Sequence, residues 1–298
     1  MKSRINRTQL TEMLQNYMFV LPALILFAVF YIYPVYKVFQ LSVFEWDGIS
    51  KAKDYVGLGN FKDVIFDKIW WGSMWNAAYI TFLALVFQNA LALILALIVD
   101  KEIKCGKFYR VVFYLPPVLS GIVIGLIWNW IYDGNYGLLN YWLSGLGLGE
   151  LGRAWLADPK TALTCVAIIH MWRGFGWGFI ILLAGLQNIP RELYEAARID
   201  GAGGWDVFKK VTVPLMIPVF ILVAVLTVLG TMQIYDLIVA TTGGGPGYHT
   251  EVPITRILAS MIGSSRFGHA CAQGLVFGVV LLIVSMIQLR LSRKLKQT

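Results

Sequence analysis

The stretch NAAYITFLALVFQNALALILALIV, residues 76–99, decides the fold. It carries no Asp, Glu, Lys or Arg, and it is long enough to cross roughly 30 Å of hydrocarbon as a helix, which takes about 20 apolar residues. In lipid a helix satisfies its own backbone N–H and C=O groups, so this run predicts a membrane span. Comparable runs occupy residues 17–36, 111–132, 162–186, 214–237 and 271–289. Together they predict an all-α, polytopic membrane protein with about six spans across residues 17–289, a polar segment 1–16 before them and a basic tail 290–298 after them. Composition agrees, because 58% of the 298 residues are hydrophobic and 14% charged, against roughly 25% charged in soluble domains. The mean hydropathy is +0.66.

Six spans place both termini on one side, and the basic residues say which. Lys and Arg are retained on the cytoplasmic face near helix ends. They crowd the N-terminal segment (Lys2, Arg4, Arg7), the loop after the second span (Lys101, Lys104, Lys107, Arg110), the loop after the fourth (Arg191, Arg198, Lys209, Lys210) and the tail (Arg290, Arg293, Lys294, Lys296). The opposite loops hold the smaller set Lys51, Lys53, Lys62, Lys68, Arg153, Lys160, Arg256 and Arg266. Both termini are therefore expected on the cytoplasmic side. Residues 1–16 are polar and the first apolar run lacks a small-x-small site, so that run is expected to stay as a span and not to be cleaved as a signal peptide. The net charge of +8 follows from the same bias and from attraction to anionic lipid, and no nucleic-acid motif accompanies it.

Cys105, Cys165 and Cys271 show no metal-ligand spacing. His170, His249 and His269 form no cluster with carboxylates in the sequence, and no nucleophile-and-base arrangement is visible, so neither a catalytic nor a metal site is expected. The glycine run Gly243-Gly244-Gly245-Pro246-Gly247 lacks the Gly-Lys-Ser/Thr ending of a phosphate loop and reads as a tight outer turn leading out of the fifth span. Two outer segments stand out, residues 45–75 with Trp70, Trp71 and Trp75 at the membrane boundary, and residues 133–160, which have room for short interfacial helices.

The loop after the fourth span, residues 188–213, is the most informative. Asn188 can cap a helix, Pro190 suits its first turn, Glu192 complements the positive end of its dipole and Gly201 suits its stop, which predicts a short helix over residues 190–200. Leu193, Ala196, Ala197 and Asp200 recur at three- and four-residue spacing and share one face, where two alanines permit close approach. A second short helix over about 205–211 would return the chain to the fifth span. The outcome is either a compact knob for insertion into another protein's cleft or an ordinary helical hairpin linking two spans.

Glu195-Ala196-Ala197, three residues, Gly201, nine residues, then Val211-Thr212-Val213-Pro214 resembles the EAA loop of ABC importer permeases, whose pattern is Glu-Ala-Ala-x3-Gly-x9-Ile-x-Leu-Pro. Valine replaces Ile and Leu here, which keeps apolar bulk. The stretches Val56 to Phe61, Tyr114-Leu115-Pro116-Pro117, Gly125-Leu126-Ile127-Trp128, Gly137-Leu138-Leu139-Asn140 and Thr242 to Pro246 are similar to the carbohydrate-uptake class of these permeases, to the member that comes first in a heterodimeric pair. The resemblance implies ATPase coupling through Leu193, Glu195, Ala196, Ala197, Asp200, Gly201 and Pro214. It also implies a second homologous permease, two ATP-binding cassette subunits that hold ATP and magnesium, and an extracytoplasmic solute-binding protein. The cargo it implies is a sugar or oligosaccharide, with glycerol phosphate or a polyol as the alternative.

Polar residues at membrane depth raise a functional question by default. His170, Arg173 and Trp177 lie on one side of the fourth span among Gly174, Gly176 and Gly178, which let another helix pack closely. Arg173 has no visible partner in the sequence and reads either as part of a pathway face or as a snorkelling, packing residue. Trp128, Asn129, Gln233, Tyr235 and Asp236 supply the hydrogen-bonding and stacking chemistry that sugars use, while Gln88 and Asn89 read as interhelical packing groups. An ion-coupled secondary transporter would call for paired acidic residues within spans and repeated halves, and a membrane enzyme for a catalytic constellation. Neither pattern is present in the sequence.

Overall fold

The computed structural model describes residues 7–101 and 104–295. Lys2, Arg4 and Lys296, counted above in the cytoplasmic set, lie outside the described residues. The described chain is mostly helical, with one short two-stranded ladder. Among the described residues five helices are long and apolar enough to cross a membrane, Gln15–Leu41, Lys68–Asp100, Ala162–Gln187, Gly204–Met232 and Phe267–Arg293, and a sharply bent pair brings the number to six where it is counted as one span.

The chain divides into two compact units. The first comprises the residues up to Phe66 together with Ala259–Gly278. Its long helix, α1 over residues 7–41, contains a π-helical turn at Ala28–Ile32. None of its side chains from Gln15 to Leu41 is buried, the pattern of a helix whose solvent is hydrocarbon. A two-stranded antiparallel ladder follows, β1 (Phe44–Glu45) with β2 (Asp54–Tyr55), pairing Phe44 with Tyr55. Asn60, buried at the start of α2 (Gly59–Phe66), donates to the Ser42 and Phe44 carbonyls at 2.9 Å each and so ties helix to ladder. The turn between the strands closes on Asp47, whose carboxylate accepts from the Ile49 and Ser50 N–H groups and is held below the usual carboxylate range by them.

The second unit comprises Asp67–Leu258 and the residues from Val279. Here α3 (Lys68–Asp100), α4 (Gly106–Val118), α7 (Ala162–Gln187) and α9 (Gly204–Met232) pack around Ala92, Ala96, Phe179, Leu182 and Met216. Lipid offers no hydrophobic drive between helices, so close approach rests on small residues. Gly178 faces Ala92 and Gly176 sits against the Phe113 carbonyl and the Pro117 ring. Hydrogen bonds add to this, Thr81 to Thr231 at 2.7 Å and Thr227 to Asn89 at 3.1 Å. Between α5 (Gly121–Ile131) and α7, residues 133–160 carry the short helix α6 (Leu138–Gly145) and a 3₁₀ turn at Gly149–Leu151, the interfacial pieces that the segment had room for. Asp133 accepts from the Asn135 and Tyr136 N–H groups, which lower its pKa.

Two predicted spans are interrupted. The run 111–132 is not one helix but α4 and α5, bent by 95°. Pro116 and Pro117 remove two N–H donors from the last turn, which closes on Leu119 N to Pro116 O, and Leu119 and Ser120 then run extended. The run 214–237 starts earlier, at Gly204, and ends earlier, at Met232. Thr231, in its last turn, bonds through its hydroxyl to the Thr227 and Val228 carbonyls. Residues 233–235 are non-helical, and a separate helix α10 (Asp236–Thr241) follows. The glycine turn therefore leads out of α10 and not out of the fifth span, with Gly243, Gly244 and Gly247 all at positive φ.

Candidate functional site

The 188–213 segment forms a helix, α8 (Arg191–Ile199), close to the predicted range. Pro190 stands at its N-cap, Glu192 in its first turn and Arg198 in its last. Asn188 closes the preceding helix through bonds from its N–H to the Ala184 and Gly185 carbonyls, so it does not cap α8 as the sequence predicts, because Pro190 already occupies the entry. The stop is a complete Schellman motif: Gly201 lies at φ +80°, its N–H reaches Arg198 O at 3.0 Å, and Ala202 N reaches Ala197 O at 2.9 Å. Nothing lies within 4 Å of where a Gly201 Cβ would stand, so glycine is needed there for its backbone angle and not for space.

The predicted second short helix is not separate. It is the opening of α9, which runs unbroken from Gly204 to Met232 through a π-helical turn at Phe208–Thr212. Pro214 fits inside because it falls at the first turn after that π segment. Leu193, Glu195, Ala196 and Asp200 are exposed, and Ala197 is half-buried. The sequence reading missed three residues here. Tyr194 turns inward onto the core and shares a 3.3 Å hydrogen bond with Thr212, tying α8 to α9. Ile199 and Trp205 face outward at 86% and 74% exposure. An apolar exposed residue beside a helix stop is visible in sequence, but its exposure is not.

At membrane depth α3, α7 and α9 enclose a cavity of about 490 Å³. His170, Arg173 and Trp177 line it along α7, Val223, Thr227 and Thr231 along α9, and Gln88 from α3. Gln88 ends a π-helical turn, Ala84–Gln88, and its side chain crosses Gly174, where any Cβ would collide with it. Gln88 is 6% exposed, and its Oε1, like His170 Nδ1, is buried without a hydrogen-bond partner among the described residues. Gln88 packs over Gly174 beside the cavity, and Asn89 bonds to Thr227 as a packing group would.

Arg173 has a partner after all. Its Nη1 lies 2.9 Å from Asp236 Oδ2, in an ion pair whose side chains are 28% and 38% exposed. Asp236 opens α10, where its other carboxylate oxygen accepts from the Leu237 N–H. Gly121, the first residue of α5, makes room, since a Cβ there would lie 2.6 Å from Arg173 Nη1 and would overlap the Asp236 carboxylate. Both chain breaks therefore meet at one ion pair on α7. Irregular backbone at membrane depth is tolerated where it is buried in protein or lines a cavity.

The remaining pathway candidates are not brought to the cavity. Asn129 donates to the Ala240 carbonyl at 2.8 Å and fastens α5 to α10. Trp128 packs on Trp172 and Tyr132, at 5.7 and 5.2 Å between ring centres. Gln233 and Tyr235 are exposed in the break before α10.

A polytopic helical unit with interrupted spans, a largely apolar cavity carrying a few polar groups and a helical knob continuous with a cavity-lining helix describes a transport component. Residues 88–297 match the binding-protein-dependent transport system inner membrane component family, and the chain belongs to it. It is 34% identical to the probable ABC transporter permease protein YurN of Bacillus subtilis over 92% of this chain and 94% of that one. It is 31% identical to the trehalose/maltose transport system permease protein MalF of Thermococcus litoralis, over 93% of each. The sn-glycerol-3-phosphate transport system permease protein UgpA of Agrobacterium fabrum is 30% identical over 93% of this chain and 94% of its own length. A chain of the bacterial alginate ABC transporter, solved with an alginate pentasaccharide-bound periplasmic protein, superposes with a TM-score of 0.85 over 99% of both chains at 21% identity, which establishes the fold. The protein is a multi-pass membrane permease, a transport component and not an enzyme.

Proposed function

We propose that this permease forms half of the translocation pathway of an ATP-driven importer for a sugar or oligosaccharide. A second, homologous permease supplies the other half, and two ATP-binding cassette subunits, which carry the ATP and magnesium, grip residues 188–213 from the cytoplasm. Both termini face that side. An extracytoplasmic binding protein delivers the solute.

The observation that carries this reading is continuity. The second half of the exposed knob and the wall of the cavity are one helix, α9, with Thr212 at one end and Val223, Thr227 and Thr231 further along. A push on α8, held to that helix by Tyr194, therefore moves the cavity wall as a rigid lever. Two curated relatives are named for sugars, the trehalose/maltose permease and a multiple sugar-binding transport permease, and the cavity offers amide, imidazole, indole and hydroxyl groups of the kind that bind hydroxylated solutes.

The test is co-purification with the neighbouring permease and ATPase subunits, followed by uptake in proteoliposomes. Leu193→Glu combined with Ile199→Glu charges the exposed face of α8 without touching its inward anchor. That variant is expected to insert normally and to lose ATPase co-purification and uptake. Full ATPase retention and uptake would refute the docking role.

A further inference from the structure

We infer that Asp236 is a charge-balancing, specificity-determining residue: by holding Arg173 it keeps the cavity electrically neutral and restricts it to uncharged hydroxylated solutes. This rests on the reading of the cavity as a solute pathway. Arg173 lines the cavity, while the other lining groups are an amide (Gln88), an imidazole (His170), an indole (Trp177), threonine hydroxyls, glycines and aliphatic side chains. Asp236 does not line it. It lies on α10 and reaches Arg173 from outside, at 2.9 Å, over the gap that Gly121 leaves.

The consequence follows from charge and donor count. A guanidinium carries five N–H donors. Asp236 engages Nη1, and the donors left over can serve the oxygen of an alcohol. Gln88 Oε1 and His170 Nδ1 are buried without a hydrogen-bond partner among the described residues and do not open onto the cavity, so the spare donors of Arg173 are what its charged lining offers to a solute. A solute with hydroxyl groups takes up the spare guanidinium donors without bringing charge. A phosphorylated solute meets a cation whose charge is already compensated, so the desolvation of its phosphate goes unrepaid. With Asp236 neutralised, the bare guanidinium becomes a strong phosphate partner. Asp236 is a positioning residue here, acting through Arg173.

The experiment uses the permease purified with its partner subunits in lipid nanodiscs. Equilibrium binding is measured for matched pairs: maltose, trehalose, glucose and glycerol, each against its monophosphate. The wild type is expected to prefer the neutral member at least tenfold in the pairs it binds. Asp236→Asn is expected to cut that preference by a factor of ten or more, and Asp236→Glu to keep it. In Asp236→Asn with Arg173→Met the gain in phosphate binding should vanish, which separates charge from fold damage. An Asp236→Asn protein with the wild-type preference overturns the inference alone. A wild type that prefers the phosphates also overturns it and leaves the importer reading standing. If the wild type binds none of the eight compounds, the saccharide reading falls and the inference with it.

Discussion

The knob at residues 188–213 and the cavity at membrane depth share helix α9, yet they are encoded in opposite ways. The knob is local. Its entry at Pro190 and its stop at Gly201 are decided by bonds between residues a few positions apart. The cavity and the contacts that hold its walls are assembled from distant pieces, with Arg173 and Asp236 63 positions apart and Thr81 and Thr231 150 apart. Local elements keep their shape when the surroundings change. Assembled ones depend on every helix that brings a side chain to the meeting point.

That contrast predicts where substitutions do most damage. The largest effect is expected from Gly121→Leu, which places a side chain where the Arg173–Asp236 pair sits. Overpacking of this kind costs about 1–3 kcal/mol, and here it also displaces both broken spans, so uptake should fall below about a tenth of wild type with lowered thermal stability. Normal uptake would show that the pair is peripheral.

Gly201→Val comes next. It meets no neighbour but forces a β-branched residue to φ +80°, at about 1–2 kcal/mol. Its damage should therefore be confined to the knob: reduced ATPase coupling, an unchanged melting temperature of the membrane core, and recovery with Gly201→Asn, which tolerates the left-handed region. A parallel loss of core stability would break the distinction between local and assembled regions.

Outside the membrane, the turn after α10 is assembled like the cavity. Glu251 is 6% exposed beneath Gly244, and Asn76 of α3 donates to its carbonyl at 2.9 Å. Burial raises its carboxyl pKa, opposed by Thr255 and Arg256. A raised folded-state pKa means that the folded form holds the proton longer than the unfolded one, so stability is highest below the ordinary carboxylate range and declines as pH rises from there through the raised value. Glu251→Gln is expected to abolish that decline in melting curves taken from pH 4 to 7. An unchanged slope would exclude Glu251 as its source.

The smallest effect is expected from Tyr194→Phe, which removes one long hydrogen bond to Thr212 while keeping the ring on the core. About 0.5 kcal/mol is at stake. Uptake should fall less than twofold, and a larger loss would mean that the tie between α8 and α9 carries the coupling.

Much of this was legible beforehand. The apolar runs marked the spans, and Pro190, Glu192 and Gly201 marked the entry, dipole and stop of α8. The break between α4 and α5 had a visible signal in Pro116-Pro117, two missing donors inside an apolar run, yet the run's length masked it. Tyr194 and Gln88 gave weaker signals, because a tyrosine in a charged helix and a glutamine in an apolar one say nothing of which way they face. Asn129 was open in the same way: a polar group in a span looks alike in sequence whether it meets a solute or, as here, the Ala240 carbonyl.

The sequence by itself determined where the apolar runs lie and where α8 starts and stops, since hydropathy and hydrogen bonds between near neighbours settle both. Tertiary structure alone decided that Arg173 meets Asp236 across Gly121. That meeting depends on where α4 ends, where α9 ends and how closely α5, α7 and α10 approach. These are packing outcomes among residues far apart in the chain, and no local pattern records them.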